Sequence, residues 1–73
     1  MKAKIRLDTT SDIRGFVNAV GGVLFPIYLT DGNNLTVSAK SILGAMYTME
    51  WSDVYCTCDQ DIYRLIQKYI VEE

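Results

Sequence analysis

Three groups of residues in this chain carry side chains that could do chemistry. They are the cysteines Cys56 and Cys58, the acids Asp59 and Asp61, and the serine within Ala39-Lys40-Ser41-Ile42-Leu43-Gly44-Ala45-Met46. The 73 residues include no histidine, so a serine-histidine or cysteine-histidine nucleophile is excluded, and neither a phosphate-cradling glycine loop nor a metal-ligand cluster is present to replace it. On a strand, Cys56 and Cys58 share one face, too close in sequence for an easy disulfide and two ligands short of a zinc site. They read as small buried apolar side chains, with a redox pair as the alternative. Asp59 and Asp61 read as solvated residues at a helix start. Ser41 has two compatible readings. One is a helix N-cap, worth about 1 kcal/mol; the other is a kinase target, since phosphate at that position meets free amides and a favourable dipole.

The elements that position these groups follow from periodicity. Ala3, Ile5 and Leu7 alternate with Lys4 and Arg6, a strand with one buried face. Asp8 to Asp12 interrupts the alternation with residues that favour turns and helix starts. Ile13, Phe16, Val17 and Val20 then form one helical stripe, which Gly21-Gly22 is expected to end through its permissive backbone. Val23 to Thr30 predicts a second strand that lies at the sheet margin or starts after Pro26, because proline lacks the amide proton a central ladder needs. Asp31-Gly32-Asn33-Asn34 is a turn and Leu35 to Ser38 completes a hairpin.

Ser41 then caps a short helix with apolar positions Ile42, Leu43, Met46 and Met49, at least two of which must pack on the sheet. Gly44 weakens its middle by about 1 kcal/mol relative to alanine. Val54, Cys56 and Cys58 predict a last strand. Asp59 or its neighbour caps a final helix carrying Ile62, Leu65, Ile66, Tyr69 and Ile70. The fold class is α+β, one domain over residues 1–73 in the order β-α-β-β-α-β-α, a four-stranded antiparallel sheet with three helices on one face.

Composition narrows the function. A hydrophobic share of 49% with 22% charged residues describes a domain that folds alone. Seven basic and nine acidic side chains give a net charge of −2, with no general attraction to nucleic acid or anionic lipid. Lys2, Lys4 and Arg6 at one end, and Glu72 and Glu73 at the other, read as solvated ends. The tyrosines have no interleaved basic residues of the kind a base-stacking platform uses. No apolar run approaches the ~20 residues of a membrane span and no leader is visible, so a cytoplasmic location is expected.

The segment around Ser41 resembles the second-helix motif of the HPr family, the small phosphocarriers of the bacterial sugar phosphotransferase system. There the form is Ala/Leu-Lys-Ser-Ile-(Met/Leu)-Gly-Val-Met, and its serine, matched by Ser41, is a regulatory phosphorylation site in many members. The element order matches over nearly the whole chain and implies an HPr-like open-faced sandwich. The family's carrier is a histidine in Gly-x-His-Ala-Arg-Pro before the first helix; here Thr9 or Thr10 stands nearest to it, the Arg-Pro pair is missing, and Asp8 and Asp12 would repel phosphate.

The resemblance therefore implies a non-enzymatic regulatory or protein-binding module without cofactors. Ser41 is the phosphorylation candidate, and Lys40, Ile42, Met46 and Tyr47 are the partner-contacting candidates. The expected partner is a protein, a kinase or transcriptional regulator, and the chain is expected to be a monomer or weak dimer. An alternative of a different class is a small-ligand-binding regulatory domain of ferredoxin-like type, which shares the β-α-β-β-α-β order.

Overall fold

Thr9 opens the first helix by a capping box: its Oγ1 accepts the Asp12 amide at 3.0 Å and the Asp12 carboxylate accepts the Thr9 amide at 3.3 Å. The computed structural model describes residues 1–71, so the solvated end expected of Glu72 and Glu73 lies outside the described residues. Its elements run β1 (Lys2–Ile5), α1 (Thr10–Val20), β2 (Tyr28–Thr30), β3 (Thr36–Ser38), α2 (Ile42–Tyr47), β4 (Val54–Thr57) and α3 (Tyr63–Ile66), with 3-10 turns at Thr48–Glu50 and Gln67–Tyr69. The class is α+β, as the alternating patterns required.

The four strands form one sheet in the order β1-β4-β2-β3, each neighbour antiparallel. Register places Ala3, Cys56, Leu29 and Val37 in one cross-strand row and Ile5 with Val54 in the next. This face meets Ile13, Phe16, Val17 and Val20 of α1, Ala45 of α2 and Ile66 of α3 in a single core. The opposite face carries Lys2, Thr57, Tyr28 and Ser38 in one row and Lys4, Tyr55, Thr30 and Thr36 in the other. Every residue of those rows is exposed or half-exposed, so the sheet is open on that side.

Two expectations change, and one pair of alternatives is settled: β2 starts after Pro26, as an interior strand with partners on both sides rather than at the sheet margin. It begins two residues after Pro26, so the missing proline amide removes no bond from the ladder. The end of α1 uses no left-handed glycine: Gly21 is right-handed at φ −64°, and among the described glycines Gly32 in the β2–β3 turn has the positive φ, 82°. The final helix is broken. α3 spans only four residues, has Ile62 rather than Asp59 at its N-cap, and leaves Leu65 exposed.

The reason for that break lies at the sheet edge. The outer side of β1 needs hydrogen-bond partners, and the segment after α3 supplies them. The Arg6 amide donates to the Tyr69 carbonyl and the Val71 amide to the Lys4 carbonyl, both at 2.9 Å, while Ile70 bridges Ile5. Main-chain pairing thus overrides the helical period of Tyr69 and Ile70.

Candidate functional site

Ser41 has the extended backbone of an N-cap, φ −103° and ψ 122°, and its Oγ accepts the Gly44 amide at 3.1 Å. Its own carbonyl accepts the Ala45 amide at 2.8 Å and its amide donates to the Ser38 carbonyl, which ties the helix start to the end of β3. The motif serine therefore holds the predicted capping position and is half-exposed.

Gly44 permits the contact between α2 and β3. A Cβ built there would lie 3.2 Å from the Ser38 carbonyl oxygen and 3.4 Å from the Val37 Cβ. The inward face of the helix is correspondingly small. Ala45 is fully buried and Thr48 nearly so, the latter with its hydroxyl donating to the Ala45 carbonyl at 2.7 Å.

The predicted apolar stripe is displaced outward as a result. Ile42, Met46 and Met49 are each 41% exposed and Leu43 is 76% exposed, so none of the four is buried. Met46 and Tyr47 are exposed as expected, with Tyr47 at 65%. Leu43, Met46, Tyr47 and Glu50 line a shallow groove on this outer face. Leu43 and Glu50 were absent from the candidate set; the signal for both was the glycine-alanine pair, which requires the large residues to point away. Lys40 is placed differently from the other candidates. Its ammonium donates to the Val23 carbonyl and fastens the loop after α1 to the start of α2.

At the start of α1, the Asp12 carboxylate also accepts the Asp8 amide at 3.1 Å. The chain's own carboxylate thus takes the Asp8 and Thr9 amides and the Thr9 hydroxyl takes that of Asp12, which places a negative charge at this helix start.

The cysteines differ from one another. Cys56 is fully buried, and burial, with a smaller contribution from the neighbouring Cys58, pushes its thiol up to about 12. Cys58 is not buried: it lies just past β4, half-exposed, with its thiol donating to the Gln60 carbonyl at 2.9 Å. Asp61, not Asp59, serves the helix start, accepting the Tyr63 amide at 2.9 Å. Among the described residues no cluster of side chains could hold a metal ion, and no helix is long and apolar enough to cross a membrane.

On the open face the fold does bring basic residues to tyrosine, which chain order alone concealed. Lys2 stands 4.9 Å from the Tyr55 ring centre, and Lys4 pairs with Asp53 at 3.1 Å. These lysines are engaged within the chain.

Compared with family models, with curated proteins and with solved structures, the chain finds no match.

Proposed function

We propose that this chain is an HPr-like regulatory and protein-binding module of the phosphotransferase system, cytoplasmic, non-enzymatic and without a cofactor. The observation that carries the reading is the α2 surface, where a capping serine opens a helix whose outer side is apolar and uncovered. Ile42, Leu43, Met46 and Tyr47 of α2, and Met49 of the 3-10 turn that follows it, are all exposed. Large apolar side chains concentrated at one place on a small domain are characteristic of docking sites, and methionine adapts to varied partners.

The element order β-α-β-β-α-β-α and the open antiparallel sheet support the kinship. Carrier chemistry is excluded by composition, since a chain without imidazole cannot form the labile phosphohistidine. In this reading a serine kinase modifies Ser41, and the added charge beside the apolar surface changes its affinity for a transcriptional regulator. Incubation with the serine kinase of that system and ATP, followed by mass spectrometry, tests it. Phosphate at Ser41 is the expected result; an unmodified Ser41 removes the regulatory reading.

A further inference from the structure

The two edges of the sheet are treated differently. β1 is covered by the chain's own segment Tyr69–Val71. Among the described residues no segment pairs with the outer side of β3, the last strand of the order β1-β4-β2-β3. The ladder between β2 and β3 fixes which groups that side presents. The Asp31 amide donates to the Leu35 carbonyl and the Ala39 amide to the Ile27 carbonyl, so bonded pairs alternate through Leu29 and Val37. Thr36 and Ser38 are therefore the residues whose main-chain groups point away from β2. The Ser38 carbonyl is taken by the Ser41 amide. The Thr36 amide, the Thr36 carbonyl and the Ser38 amide face outward.

We propose that this edge pairs antiparallel with β3 of a second copy of the chain, joining two four-stranded sheets into one. Antiparallel pairing of identical strands is self-complementary about a two-fold axis, since each Thr36 amide and carbonyl finds its equivalent in the other copy. Charge favours this edge for self-association. From Asn33 to Ala39 the chain carries no charged side chain, in a molecule of net charge −2, so here two copies meet without local repulsion. The devices that ordinarily block edge pairing, namely lysine, proline or a bulge, are missing from Thr36–Ser38. Apolar area lies beside it: Leu35 is 47% exposed, and Tyr47 stands one turn beyond Gly44, the helix residue that touches β3. A three-residue strand gives a weak, concentration-dependent dimer rather than an obligate one.

Sedimentation equilibrium of the whole chain from about 10 µM to 1 mM, with amide hydrogen exchange at both ends of the range, tests the proposal. The expected result is a mass rising toward the dimer, with Thr36 and Ser38 amides exchanging several-fold more slowly at high concentration. Thr36→Lys places a charge on the edge and should weaken dimerisation tenfold or more. Thr36→Pro removes an outward amide that β2 does not use and should do the same. A monomeric mass throughout would overturn the proposal, as would a dimer that both variants leave unchanged or whose Thr36 and Ser38 amides are not protected.

Discussion

The hydroxyl end of Tyr69 occupies the space directly above Gly15, where any Cβ on that helical residue would collide with it. The Tyr69 ring is held there by an edge-on contact with Phe16, centroids 5.5 Å apart and planes at 79°. The contact joins the middle of α1 to the segment that covers the β1 edge, so one glycine in the helix decides how the end of the chain docks.

Gly15→Ala sets two effects against each other. Helix propensity favours alanine by about 1 kcal/mol, while overpacking a buried aromatic costs roughly 1–3 kcal/mol. The buried ring has little room to retreat, so a net loss of about 1 kcal/mol is expected in urea unfolding. Adding Tyr69→Phe removes the colliding oxygen, and the double variant should recover at least half of that loss.

The core was legible wherever one residue period ran uninterrupted. Ile13, Phe16, Val17 and Val20 are all buried, as are Ile5 and Leu7, because long amphipathic patterns leave the chain one way to hide its apolar side. The α2 stripe misled because the helix is six residues long and pressed against β3. Closeness there admits only Gly44, Ala45 and Thr48, and size overrode hydrophobicity. Ser41 was legible because capping is local; the outward displacement of Leu43 was not, because it depends on the Ser38 carbonyl across the interface. The end of the chain was misread for a similar reason, since its partner is the main chain of β1.

Gly44→Ala should separate α2 from β3. The nearest atom it meets is the Ser38 carbonyl oxygen at 3.2 Å, with the Ser41 and Val37 Cβ atoms at 3.4 Å, and backbone cannot retreat as a side-chain tip can. A loss of about 1–2 kcal/mol is expected despite alanine's better helix propensity. Chemical shifts of Val37 and Ser38 would report the displacement directly.

Ser41→Ala leaves the Gly44 amide without its cap and should cost about 1 kcal/mol. In a domain of this size that is roughly 4–8 °C in Tm. Ser41→Asp keeps an acceptor at the cap and should restore most of the loss. Exposed positions behave otherwise. Met46→Ser or Tyr47→Ser should shift stability by no more than about 0.5 kcal/mol, so any loss of partner binding in those variants belongs to the surface and not to the fold.

The thiols give a prediction in which rate and pH dependence separate two cysteines only two residues apart. Cys58 is half-exposed and should react with a disulfide reagent in the native protein, whereas Cys56, fully buried and with its thiol held at about 12, should react only on unfolding. Native titration should therefore give one equivalent and titration in denaturant two. The raised value also makes a contribution to stability. In the unfolded chain this thiol ionises near 8.5, while the folded chain keeps it protonated, so above that pH the unfolded state binds fewer protons. The contribution is complete below about pH 8 and is lost as pH rises toward the folded value. At pH 10 the loss attributable to this group is on the order of 2 kcal/mol. Cys56→Ala lowers stability at pH 7 by leaving a small cavity, but its stability should fall less between pH 8 and 10 than that of the native chain. Lysines and tyrosines titrate in both proteins, so the difference between the two curves isolates the thiol; parallel curves would mean that Cys56 ionises in the folded state as readily as in the unfolded one.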